Sequence, residues 1–142
     1  MPNNGWLYEI AQSALKTQGI NSEVEFTTWN RALKLLEKNR KTAILGAFYS
    51  LKRNEVFYYS RPLAVAHSGV FKRKESIINF DGTVQSLTPY SIGIEDNAVV
   101  SQEFARNTDL AITSTKSLPT SLYLLQQGRI DLVAGTKEVG KY

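Results

Sequence analysis

The chain has no cysteine, and only one histidine and one methionine among its 142 residues. Without cysteine there is no disulfide framework, no thiolate metal site and no cysteine nucleophile. The compartment is left open on this count. HExxH and EF-hand spacings are also missing, so no metal site is expected. Long apolar runs are absent. The longest uncharged apolar stretch, around Ala43 to Phe48, is far shorter than the about 18–20 residues that span a bilayer. Met1 to Trp6 (MPNNGW) offers neither a basic n-region nor an apolar h-region, so no secretory leader is expected at that end. No glycine-rich phosphate loop is present: Gly93-Ile94-Glu95-Asp96 follows a predicted strand without GxGxxG or GxxxxGK spacing. No cofactor is expected.

The composition is that of a folded chain, 42% apolar and 21% charged, and the length suits one ordinary domain or two small lobes. Seventeen Lys and Arg against thirteen Asp and Glu give a formal charge of +4. The basic residues gather in Arg31, Lys34, Lys38, Arg40 and Lys41, and again in Lys72, Arg73 and Lys74. Neither cluster has the glycine–aromatic interleaving of an RNA-binding sheet or the spacing of a zinc finger, so a solvated basic face is the better reading and no nucleic-acid partner is expected.

Leu7, Ile10, Ala11, Ala14 and Leu15 recur at three and four with Gly19 behind them, predicting an amphipathic helix over 6–18. Val24 to Thr28 (VEFTT) alternates like a strand. Thr28 then stands where it can cap a helix that carries Trp29, Ala32, Leu33 and Leu36 on one face and ends at Asn39. Thr42 to Phe48 (TAILGAF) reads as a strand covered on both faces. After Pro62 the texture changes. Leu63 to Phe71 is extended, Asp81-Gly82 marks a turn, and strands are predicted at Tyr90–Ile94, Ala111–Thr113 and Ile130–Ala134. Helices are predicted over Val99–Arg106 and from a Ser117 cap through Leu118, Leu122 and Leu125 to Gly128. The pattern predicts parallel α/β layering in two units, 1–65 and 66–142, with the boundary in the extended segment near 62–68. The first unit has only two clear core strands, too few to stand alone, so part of its sheet is expected to come from elsewhere.

Candidate chemistry is sparse. His67 lies in an extended run of small and apolar residues with no nucleophile or carboxylate beside it in sequence, so a structural or surface role is expected. Adjacent Glu95 and Asp96 at a strand exit point apart, a poor acid/base pair. Arg53 follows the Thr42–Phe48 run across a short turn (YSLKR), where parallel α/β sheets place ligands. A guanidinium there either grips a carboxylate through two parallel hydrogen bonds or stands solvated beside Lys52. Trp29, Phe48 and Tyr49 lie near the same edges, as an apolar lining or as core aromatics.

At these residues the sequence resembles the type II periplasmic solute-binding proteins, the amino-acid-binding family 3 of extracellular domains. The resemblance runs along almost the whole chain. The family's opening GFDVDLA helix resembles Gly5 to Ala11 (GWLYEIA), and its W…aLqsGkvDliiag block resembles Trp29 to Ala47. Its arginine, followed by serine seven residues on and proline two further, is matched by Arg53, Ser60 and Pro62 (RNEVFYYSRP). Its kvGv strand resembles Ser91 to Ile94, and its L..GrvDavv block resembles Leu124 to Ala134 (LLQQGRIDLVA).

The resemblance implies a two-lobed α/β fold, solute held in an interlobe cleft, and a first lobe lacking its opening strand and its C-terminal return. It implies that Arg53 clamps a solute carboxylate, with Trp29, Phe48 and Tyr49 from lobe one and Asn97, Ala98 and Thr136 from lobe two also at the site. The sequence departs from the family in places. Gly46 and Phe48 replace the hydroxyl residues before the arginine, Thr42 replaces an aspartate, and the lobe-two Gly-Thr loop reads Asn97, Ala98 and Val99. Thr136 stands where the carboxylate that holds an α-ammonium falls. An ammonium buried without a counter-charge costs several kcal/mol, so a carboxylate-bearing or less polar solute is expected. The implied role is a periplasmic, non-enzymatic protein that passes a small solute to an ABC-type permease, without inserting in the membrane. The alternatives are a ligand-sensing input domain of a receptor and a dehydratase-like enzyme on the same scaffold.

Overall fold

In the computed structural model, which describes residues 5 to 138, the chain divides into a unit ending at Val65 and a unit beginning at Ala66.

The first unit is helical. Helix α1 spans Trp6–Thr17, α2 spans Trp29–Glu37, and one turn, α3, spans Leu51–Asn54. Gly19, at φ 68°, takes the chain out of α1, and Asn39, at φ 53°, does so after α2. Thr28 occupies the N-cap position of α2, yet its side chain makes no capping hydrogen bond. Ser50 does cap: its hydroxyl accepts from the Arg53 backbone N–H at 3.2 Å.

Two expected strands do not form. Val24–Thr28 and Thr42–Phe48 have no ladder partner, and no described residue before Ser68 lies in a strand. A strand exists only through its neighbour's hydrogen bonds, and two short segments bury too little to hold a sheet. Gly46, at φ 83°, also bends the second run in its middle. Among the described residues of the first unit Leu33 is consequently the single buried apolar one, and α1 buries none.

The second unit carries all four described strands: β1 (Ser68–Lys72), β2 (Ser91–Glu95), β3 (Ala111–Thr115) and β4 (Leu132–Thr136). They form one sheet in the order β1-β4-β2-β3. Strands β2, β3 and β4 run parallel, as expected, with Ser91 beside Ala111 and Ile92 beside Leu132. The segment read only as extended supplies β1, which pairs antiparallel to β4, Ser68 facing Thr136, and makes the sheet mixed. An edge strand can add in either sense, because only its partner's ladder must be satisfied.

Helix α4 (Gln102–Arg106) is shorter than the predicted 99–106 because the Ser101 hydroxyl caps it, accepting from Phe104 N–H at 3.0 Å. Helix α5 (Leu118–Gln126) starts at the predicted Ser117 cap. Leu87, Ile92, Phe104, Leu110, Leu132 and Ala134 form the core on one face of the sheet. Val133 points to the other, against Leu125 and Ile130. Helix α5 and the segment that follows it lie so close to β2 that a Cβ built on Gly93 would stand 3.3 Å from Ser121 Cβ, on the helix, and 2.5 Å from Ile130 Cδ1, beyond it. Beneath it the buried Ser121 and Thr115 hydroxyls share a hydrogen bond of 2.6 Å. Arg73 finishes the helix, donating from Nη1 to the carbonyls of Leu125 at 2.8 Å and Ile130 at 3.0 Å.

Candidate functional site

Trp29, Phe48, Tyr49 and Arg53 all fall in the first unit, and three of the four meet. The Ser50 cap winds the chain into α3 and turns Arg53 back. Its Nη1 donates to the Phe48 carbonyl at 3.3 Å, and its guanidinium carbon stands 5.1 Å from the centre of the Trp29 ring. A cation over an indole face is attracted by the ring quadrupole. The carbonyl and the ring both restrain the guanidinium, and a restrained guanidinium suits a two-bond carboxylate clamp.

Trp29 is therefore half-buried at the arginine rather than a core aromatic. Tyr49 points elsewhere. It is half-exposed and meets Tyr59 at a tilt of 58° with ring centres 5.2 Å apart, and the Tyr59 hydroxyl donates to the same Phe48 carbonyl at 3.0 Å. Tyr59 and Ser50 are the supporting residues that sequence reasoning did not single out. The one available signal was Ser50, a capping residue three before the arginine.

Asn97, Ala98 and Thr136 fall in the second unit, at the carboxyl ends of the adjacent parallel strands β2 and β4. This is the end where open α/β sheets hold ligands. Asn97 adopts φ 60° at the exit of β2, and the turn closes with Ala98 N–H on the Glu95 carbonyl at 2.9 Å. Thr136 ends β4 opposite Ser68.

The same rim holds groups not expected there. His67 Nδ1 lies 2.8 Å from Glu138 Oε1, and the His67 backbone N–H donates to the same carboxylate at 3.1 Å. The Lys137 N–H donates to the His67 carbonyl at 2.8 Å. The imidazole contact pulls the Glu138 carboxyl down to about 2. His67 thus has a carboxylate beside it in space that it lacks in sequence, seventy-one residues away. Glu95 and Asp96 do face different partners: Asp96 accepts from the Ser114 hydroxyl, while Glu95 accepts from the Leu118 N–H. Burial pushes the Glu95 carboxyl up, the Leu118 N–H opposes the rise, and the neighbouring Asp96 charge adds to it. Among the described residues no group of acidic or histidine side chains has metal-binding geometry. A depression of about 580 Å³ beside α4, with Arg106 and Asp109 in its wall, includes none of the expected site residues.

No protein-family model matches the sequence, and no curated protein matches it. Solved structures do. A holo arginine-binding protein from T. maritima superposes with a TM-score of 0.83 at 17% identity, over 96% of this chain and 61% of that one. A histidine kinase sensor domain with similarity to periplasmic binding proteins matches with a TM-score of 0.86 at 19% identity, over 97% of this chain and 60% of that one. The substrate-binding protein of an amino acid ABC transporter matches with a TM-score of 0.73 at 20% identity, over 94% and 59%. At these identities the likeness is one of fold. The chain has a periplasmic-binding-protein-like α/β fold and spans about three-fifths of the length of each of these neighbours.

Proposed function

We propose that the chain is an extracytoplasmic, non-enzymatic solute-binding domain that captures a small carboxylate-bearing solute, with Arg53 as the carboxylate clamp. The observation that carries this reading is the seating of the Arg53 guanidinium against both the Phe48 carbonyl and the Trp29 ring. The fold supports it, since the neighbours whose names state a role are binding proteins or a sensor domain. Asn97, Ala98 and Thr136 are assigned to solute contact because they sit at the carboxyl ends of β2 and β4. With a threonine at 136 the site lacks the expected ammonium partner, so the favoured solute is an organic acid rather than a standard α-amino acid. The domain would act in the periplasm and hand its solute to an ABC-type permease.

A second reading is a receptor's sensory input, in which solute shifts a conformational equilibrium. The sensor-domain neighbour at TM-score 0.86 favours it. A membrane-spanning segment contiguous with this chain in the full-length gene product would mark that role.

A thermal-shift panel tests the proposal. A solute at about 100 times its dissociation constant adds about 2.7 kcal/mol of stability. A shift with organic acids supports the reading. A shift only with solutes that carry no carboxylate rejects it.

A further inference from the structure

Two adjacent carboxylates stand beside the residues assigned to solute in the second unit. Glu95 ends β2, Asp96 follows it, and Asn97 and Ala98 come directly after. A residue two positions on lies within about 7 Å along the chain, so a group that reaches Asn97 also meets Glu95. Glu95 is held at both its backbone and its side chain. Its carbonyl accepts the Ala98 N–H at 2.9 Å, which closes the turn at Asn97. Its side chain shares a face of β2 with Gly93, the face that packs on α5, and accepts from the N–H of Leu118, the first residue of that helix. An ionised carboxylate offers about four acceptor positions, and the Leu118 bond fills one.

No cation answers this pair. Among the described residues no lysine or arginine forms an ion pair with Glu95 or Asp96. Asp96 is engaged with β3: its N–H donates to the Thr115 carbonyl at 2.8 Å, and its carboxylate accepts from the Ser114 hydroxyl. Glu138, two residues past the end of β4, is taken by His67. Glu95 is half-buried with only the Leu118 N–H to offset the loss of water. Burial first, and then the Asp96 charge, push its carboxyl up against that one bond, the mark of a carboxylate short of counter-charge.

We propose that Glu95 is a specificity-determining residue, accepting a hydrogen bond from a hydroxyl or amine on the solute and turning away a second carboxylate. The inference rests on the reading of Arg53 as the carboxylate clamp. It narrows the solute to a monocarboxylic acid that carries a polar donor away from its carboxylate. A second carboxylate within about 4 Å of Glu95 would lose between about fivefold and about a thousandfold in affinity, according to how much water remains between the charges. A hydroxyl or amine fills an open acceptor position instead, and a charged acceptor makes the stronger bond.

Isothermal titration of the full chain with matched acids tests the proposal. The panel holds unsubstituted, ω-hydroxy, ω-amino and dicarboxylic acids, at lengths from propionate to hexanoate. The ω-hydroxy or ω-amino acid should bind more tightly than the unsubstituted acid of its length, and the dicarboxylate at least about fivefold more weakly. Glu95→Gln keeps the side chain's size and an acceptor for the Leu118 N–H while removing the charge. It should therefore close the gap between the dicarboxylate and the unsubstituted acid, with the melting temperature of the parent retained. Glu95→Ala should abolish the preference for the donor-bearing acids as well. Dicarboxylates that bind the parent as tightly as their unsubstituted counterparts, or a discrimination that survives Glu95→Gln, would overturn this inference and leave the Arg53 clamp standing. Failure of every acid in the panel to bind would overturn the clamp reading itself, and this inference with it.

Discussion

Ser91 and Asp131 hold the amino ends of β2 and β4 together by exchanging hydrogen bonds in both directions. The Asp131 carboxylate accepts from the Ser91 N–H at 2.9 Å and from its hydroxyl at 2.6 Å. The Asp131 N–H in turn donates to the Ser91 carbonyl at 3.0 Å. The aspartate of the GRIDLVA segment, which sequence patterning marks only as part of a motif, therefore has a structural task far from the strand ends assigned to solute.

Asp131→Ala removes a charged acceptor from two donors and should cost about 1.5–3 kcal/mol, read as a lowered denaturant midpoint with unchanged m. The Ser91 bonds hold the Asp131 carboxyl below its usual range. A depressed carboxyl stabilises the fold above its unfolded value, so this contribution should fade as pH falls below about 4. In Asp131→Asn that acid-dependent loss should be absent. An Asp131→Ala chain as stable as the parent at neutral pH would refute the staple.

Gly93 is set by space rather than by backbone conformation. Gly93→Ala would drive a methyl into Ile130 and Ser121, and overpacking of this kind costs about 1–3 kcal/mol. Ile130→Val removes the Cδ1 atom that the new methyl meets. Gly93→Ala should therefore cost less in an Ile130→Val background, a coupling that a double-mutant cycle measures. Strict additivity of the two changes would show that the Ile130 side chain yields rather than resists.

The contact between His67 and Glu138 predicts an acid transition local to the start of β1. Glu138 should titrate near 2 rather than in the ordinary carboxyl range near 4.5. Whatever this contact contributes is present above the ordinary value and disappears as pH falls from there through the depressed one. Carboxyl NMR titration reads it directly, and His67→Ala should return Glu138 toward 4.5. A Glu138 that titrates normally in the parent chain would mean the contact does not persist in solution.

Helices α1, α2 and α5 and their stops were legible from three-and-four periodicity and from Gly19, Asn39 and Gly128, because each of these signals is local, whereas the single turn of α3 was read only as a turn. Strands β2, β3 and β4 were legible to within a few residues for the same reason: short apolar runs between caps and turns. The direction of β1 and the fate of Val24–Thr28 and Thr42–Phe48 were not, since an apolar run announces burial but not a partner across a ladder. The site was half legible. Arg53 stood out by its place after an apolar run, whereas its seating on Trp29 depends on the turn that Ser50 starts twenty-one positions later in the chain. The pairing of His67 with Glu138 is a product of antiparallel register, which no sequence pattern reports.

Arg53 is the residue on which solute binding should depend most directly. Isothermal titration of an organic-acid panel, with L-arginine and L-glutamine as the amino-acid comparison, should find a carboxylate solute that binds the parent chain. Arg53→Ala should weaken that solute by about 2–5 kcal/mol, the cost of leaving a clamped charge without its partner. Arg53→Lys should recover only part of it, because an ammonium lacks the planar fork. An affinity unchanged in Arg53→Ala would contradict the clamp, and binding confined to solutes without a carboxylate would contradict the proposed solute class.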